Sequence, residues 1–154
     1  MFTLLACGDV RDGRDTPVPP GGVIGAARLA DREVTAERIG HGPLTRLVAR
    51  EGAATRVLLA EGSPDRPALS PDGRWVAFVY APEGLAAVGL VPFAGGAPQQ
   101  LTNAGLARAK HAVGEPPAGF VPVPTAAPAF ADGQLTWTDA TGQPHAVALP
   151  AEAR

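Results

Sequence analysis

Residues 67–102, PALSPDGRWVAFVYAPEGLAAVGLVPFAGGAPQQLT, decide the fold. The run Pro67 to Ser70 is short and apolar-centred and ends at a tight turn. Pro71 holds φ near about −65°, Asp72 can bond back to the backbone, and Gly73 accepts a positive φ. Trp75 to Tyr80 follows as an uninterrupted aromatic and β-branched run, the composition of a strand. Ala81-Pro82-Glu83-Gly84 breaks it, Ala87 to Val91 is a third strand, Phe93 to Pro98 turns through Gly95-Gly96, and Gln99 to Thr102 closes the unit. Four short strands joined by three local turns form an up-and-down meander.

The order of these elements resembles the blade repeat of TolB-type, WD-like β-propeller proteins. The residues that carry the likeness are Pro67, Leu69, Ser70-Pro71-Asp72-Gly73, Ala77-Phe78, Gly84, Gly95-Gly96 and Leu101-Thr102. The stretch Pro128 to Trp137 repeats the first half with a shortened turn at Asp132-Gly133, and Thr138 to Gln143 then turns into His145 to Leu149. Leu44 to Gly62 echoes Val88 to Thr102 more faintly. Such internal similarity marks repeat architectures. The fold class expected is therefore all-β, with blade-like units at about 34–62, 63–104 and 125–150 within a domain over 23–154. Three units do not close a ring, which takes 4–8 blades. The expectation is an incomplete propeller of about three blades or a compact stack of β-sheets, its open edge covered by residues 23–38 or by a partner strand.

Outside the repeat the pattern is less definite. Ala26–Arg38 admits a short helix, whereas Val34–Arg38 equally admits the start of a strand. Thr45–Arg50 and Arg56–Glu61 read as a hairpin about Glu51-Gly52-Ala53-Ala54. Alternation places Leu47, Val57 and Leu59 on the core side and Arg46, Arg50 and Arg56 toward solvent. The proline-rich stretch 103–126 cannot be a central strand, because proline removes ladder donors, and is expected as a surface connection.

The lone cysteine lies in Leu4-Leu5-Ala6-Cys7-Gly8-Asp9, which resembles a bacterial lipobox. The resemblance implies lipidation of the Cys7 thiol, cleavage before it, and a tether over residues 8–22. Glycine after Cys7 fits outer-membrane sorting. Only six residues precede Cys7 and none is basic, so a full signal requires additional sequence upstream of Met1. The alternative is a small buried cysteine in a cytoplasmic protein.

Composition narrows the function classes. The chain of 154 residues holds 19 glycines, 17 prolines, 12 arginines and one lysine, with a formal net charge of −2. The arginines are dispersed, whereas a nucleic-acid binder concentrates them on one face. No run of about 18 apolar residues is present to span a membrane as a helix. A single cysteine cannot form an internal disulfide. Ser63 and Ser70 lack a nucleophile elbow. His41, His111 and His145 lack zinc-ligand spacing. Gly95-Gly96 is followed by Ala97-Pro98 and so makes a turn, with no phosphate loop. Asp72, Asp132 and Asp139 fall in turns, where their first role is to hold backbone amides.

No cofactor, metal or catalytic residue is thus expected. The function expected is a non-catalytic, periplasm-facing envelope lipoprotein, anchored to the outer membrane through Cys7. Its turn motifs are Ser70, Pro71, Asp72, Gly73, Asp132 and Gly133, and its loops meet a protein or glycan partner. Trp75 and Trp137 are expected in the core, and wherever exposed would grip that partner. Self-association through an open edge is also expected. The alternative is the propeller part of a peptidase or hydrolase whose catalytic domain lies elsewhere.

Overall fold

The computed structural model describes residues 22–106 and 115–154. Cys7, residues 8–21 of the tether and His111 lie outside them. The described residues form three small antiparallel sheets and no α-helix. The first sheet comprises β1 (Val23–Leu29), β2 (Arg32–Arg38), β3 (Thr45–Glu51) and β4 (Ala54–Leu59) in the order β1-β2-β3-β4. The second contains β5 (Asp65–Leu69), β6 (Trp75–Tyr80), β7 (Ala87–Pro92) and β8 (Gln99–Gln100), again in sequence order. The third contains β9 (Ala129–Ala131), β10 (Gln134–Thr138) and β11 (Pro144–Ala148), followed by a short 3-10 turn at Ala151–Ala153. The described residues are all-β and up-and-down, and their sheets do not close into a barrel.

The second sheet is buried on both faces. Val76, Phe78 and Tyr80 from β6 join Val34, Ala36, Leu47, Ala49 and Leu58 of the first sheet in one core. Trp75 and Ala77 point the other way and join Val88, Leu90, Leu135, Trp137 and Leu149 in a second core against the third sheet. Strand alternation alone produces this division, since successive side chains leave opposite faces. β6 therefore needs apolar residues at every position, and it has them. Each large side chain buried in this way contributes roughly 1.5–3 kcal/mol.

Residues 23–38 lie against β5, the outer strand of the second sheet, with Gly25 facing Arg66 and Pro67. They form the β1–β2 hairpin, with Leu29 opposite Arg32, and β2 continues the ladder into β3. The helical option for 26–38 fails because Val34 and Ala36 must face one core while Thr35 and Glu37 leave the opposite face, a period of two. Arg46, expected in solvent, is 4% exposed and lies 3.9 Å from the buried Glu37 carboxylate, its cross-strand partner. Alternation assigns Arg46 to the face away from Leu47. It says nothing of whether that face is wet. Arg50 closes the same cluster, donating to Glu37 Oε1 at 2.5 Å and to Thr35 Oγ1 at 2.7 Å. Leu47 is fully buried and Leu59 packs against the core as expected, but Leu58 is the buried member of β4.

The unit ends are held by side chains as well as by ladder bonds. Thr102 Oγ1 accepts the Val88 amide at 2.9 Å, continuing the β7–β8 edge past two residues of ladder. Asn103, at φ 58°, donates to the carbonyls of Ala86 and Val121 at 2.9 Å and accepts the Val121 amide at 2.8 Å. The irregular chain after β8 is thus tied back to the second sheet.

Gly89 sits opposite Phe78, where the edge-to-face rings of Phe78 and Tyr80 fill the space a side chain would need. A Cβ at Gly89 would lie 2.6 Å from Phe78 Cε2 and 2.7 Å from Tyr80 Cε1. Gly89→Ala is expected to destabilise by about 1–3 kcal/mol in urea unfolding. Gly42→Ala, with nothing within 4 Å, is expected to stay within about 0.5 kcal/mol of the parent.

Candidate functional site

The Ser70–Trp75 turn is held by a closed set of hydrogen bonds. Ser70 Oγ donates to Asp72 Oδ1 at 2.6 Å and accepts the Trp75 amide at 3.0 Å. Asp72 Oδ1 also accepts the Arg74 amide at 3.0 Å, and the Gly73 amide donates to the Ser70 carbonyl at 2.8 Å. Gly73 takes φ +72°, the conformation its missing Cβ permits. From the first sheet, Arg32 Nη1 donates to the Gly73 carbonyl at 2.8 Å. The Ser70 hydroxyl is the chief cause, with the Arg74 amide second, that holds the Asp72 carboxyl below its ordinary range. Ser70 and Asp72 act as turn-makers.

The shortened copy of this turn is a two-residue connection between Ala131 and Gln134. Asp132 and Gly133 have φ 49° and 74°, both positive as a twisted hairpin requires. The fold brings the two turns together. Ser70, Pro71 and Asp72 form one side of a groove of about 230 Å³, and Phe130 to Gly133 form another, with Leu149, Ala153 and Arg154 completing it. Residues some 60 positions apart in sequence thereby share one concavity, because the second and third sheets pack on a common core.

The same turn borders a second concavity of about 340 Å³, between the first and second sheets. Arg32, Glu51, Arg56, Arg74, Trp75, Pro92 and Phe93 line it. The Arg32 and Arg56 guanidiniums lie over the Phe93 ring, 4.9 and 5.3 Å from its centroid. No motif marks these arginines. They belong to separate strands and turns, and only the packing of the two sheets gathers them. The signal that could have found them is the placement of Arg32 and Arg56 beside hairpin ends.

Trp75 and Trp137 are in the core, 8% and 7% exposed, and each residue borders a concavity. The Trp137 indole donates to the Pro122 carbonyl at 2.9 Å. The outer face of the third sheet, with Thr136, Thr138, Pro144 and Ala146, borders a shallow open depression of about 660 Å³ that also takes in Thr125 and Ala127. A further concavity lies where β1, β5 and the chain before β9 meet. There the Asp65 carboxyl is raised from its ordinary value by burial, against the lowering effect of Arg66. Among the described residues no group of three His, Cys, Asp or Glu side chains is placed to hold a metal ion.

His41 is exposed, whereas His145 is drawn into the β10–β11 turn. His145 Nε2 and Asp139 Oδ2 are 2.7 Å apart, and the imidazole stacks on Trp137 at 5.8 Å between centroids. Asp139 Oδ1 accepts the Thr141 hydroxyl at 2.6 Å and the Thr141 and Gln143 amides at 2.8 and 3.1 Å. The Thr141 hydroxyl first, then His145, hold this carboxyl well below its usual 3.8. The Thr141 hydroxyl, two backbone amides and the imidazole converge on one carboxylate. The arrangement secures a hairpin.

Two outcomes are expected. Ser70→Ala removes a buried acceptor from the Trp75 amide and a donor from Asp72, and is expected to lower unfolding free energy by about 1–3 kcal/mol in urea titration. For Asp139, a folded-state pKa below the unfolded value means its stabilisation is complete above about pH 5 and declines as pH falls below 3.8. Melting temperatures of the parent are expected to fall more steeply between about pH 5 and 2 than those of Asp139→Asn.

No known protein-family model matches the chain, and no curated protein matches it.

Proposed function

We propose that the chain is a non-catalytic binding scaffold of the bacterial cell envelope, built on TolB-type blade units, that meets a protein or glycan partner at the turn end of its sheets. The observation that carries this reading is the Ser70–Trp75 turn. It is rigidly bonded, faces both neighbouring sheets, and forms the shared wall of two concavities. Loops held by a packed β framework are where binding residues concentrate. Both tryptophans are buried in the core between the second and third sheets and support this end of the framework from within.

The chemistry at this end favours recognition. Asp72 and Asp132 are turn carboxylates beside Arg154 in one groove, while arginines dominate the other. A partner would thus meet both signs of charge a few ångströms from apolar walls, an arrangement that selects orientation. The lipobox-like Leu4-Leu5-Ala6-Cys7-Gly8 supports an anchor through Cys7 followed by a tether. The uncharged outer face of the third sheet supports self-association.

Two experiments test the proposal. In a bacterial host expressing the chain behind an intact upstream signal, metabolic labelling with an alkyne fatty acid is expected to mark the protein and to be abolished by Cys7→Ser. Retained label in Cys7→Ser, or none in the parent, overturns the anchor. Binding of the chain to glycan arrays and to envelope-protein arrays is expected to give hits that Asp132→Lys, in the groove wall, weakens by about tenfold or more. Hits indifferent to that change and to Arg74→Glu overturn the turn-end site.

A further inference from the structure

The concavity between the first and second sheets carries a local excess of positive charge in a protein whose formal net charge is −2. Arg32, Arg56 and Arg74 border it, and Glu51 is the carboxylate in its lining. Glu51 is divided between two of them at long range. Its Oε1 is 3.4 Å from Arg32 Nη2, and its Oε2 is 3.8 Å from Arg56 Nη2. Arg74 Nε is 3.8 Å from Asp72 Oδ2, a carboxylate already engaged by Ser70 and the Arg74 amide. Counting Asp72 as well, three cations face two anions.

A guanidinium carries five N–H donors in a fixed plane. Arg32 places one donor on the Gly73 carbonyl at 2.8 Å, and Arg56 approaches the Ala94 carbonyl at 3.4 Å. These contacts, with the Phe93 ring beneath both groups, hold the guanidiniums before any ligand arrives. Ordering a long side chain is a principal cost of binding, so prior placement favours capture. A solvated surface arginine would have no such support. Phe93, beneath the guanidiniums, is an apolar ring in the lining.

We propose that this concavity binds a ligand bearing a carboxylate or phosphate group. The oxyanion is received by Arg56 and Arg74 beside Arg32. Planar guanidiniums match the oxygens of either group. The inference rests on the turn-end reading for its location and adds the chemical class of what is bound there.

The test is a titration of the full chain, followed by the Nε–Hε resonances of its arginines at low ionic strength. The probes are inorganic phosphate, citrate and glucuronate, with glucose as the uncharged control. At least one anion is expected to shift Arg32, Arg56 and Arg74 saturably with Kd below about 1 mM, and glucose to shift none. The preferred anion distinguishes a phosphate from a carboxylate source. Arg56→Gln combined with Arg74→Gln is expected to weaken binding about tenfold or more. Arg32 is kept because it braces Gly73, and an unchanged melting profile shows that the double variant folds. Glu51→Gln is expected to tighten binding by about threefold or more, because a competing carboxylate is neutralised. Kd above about 1 mM for all three anions, affinity unchanged in the double variant, or weaker binding by Glu51→Gln overturns the proposal. Partner binding that responds to Asp132→Lys but not to these changes would overturn this site alone and leave the turn-end reading standing.

Discussion

The side chains of β6, Trp75 to Tyr80, leave water on both faces of the strand at once, and the order of the three sheets follows from that. Phe78 and Val76 require one apolar sheet and Trp75 and Ala77 another. A two-sheet sandwich would leave half of them wet. The second sheet therefore lies in the middle, and the first and third present to it the residues of matching faces. Gly89 belongs to the same constraint, because the Phe78 and Tyr80 rings fit only over a position without a Cβ. Overpacking there would be felt along the whole interface, since packed interiors transmit small displacements.

Stacking at this spacing turns the hairpin ends into walls. The Ser70–Trp75 turn answers to the third sheet through the groove it shares with Asp132 and Gly133, and to the first through Arg32. A turn bonded only to itself would be a poor binding wall. Here Ser70 and Asp72 satisfy its amides internally, and the Arg32 guanidinium fixes its outer carbonyl from a second sheet. The arginines that reach across between sheets are packing elements over Phe93 and retain donors toward the concavity. In the proposed site, structural and recognition roles would coincide in the same side chains.

Much of the local structure was legible in the chain. Trp75–Tyr80 is a strand with those bounds, because its composition and flanking turns leave no other reading. Ser70 and Asp72 hold their turn by bonding to neighbouring amides, and Asp132-Gly133 makes a tighter version of it through two consecutive positive φ angles. The segment 26–38 was ambiguous for the opposite reason. Ala26 to Arg38 is mostly small or charged, so its periodicity is weak, and its strands form because β3 offers a ladder and the second sheet offers a surface for Val34 and Ala36. Arg46 misled because alternation gives the face of a residue and not the cover over it.

What the sequence by itself determined is the meander: strands, turns, their antiparallel order and the residues that make the turns, all interactions between near neighbours. The tertiary structure alone decided which turns meet, that Asp72 and Asp132 share a groove, that Arg32, Arg56 and Arg74 gather on one concavity, and that Glu37 and Arg46 are buried together. The physical reason is range. A hydrogen-bonded turn is specified by a handful of consecutive residues. The convergence of distant charges is specified by how whole sheet faces pack, and that packing is set by the apolar residues of β6 rather than by the charged residues it brings together.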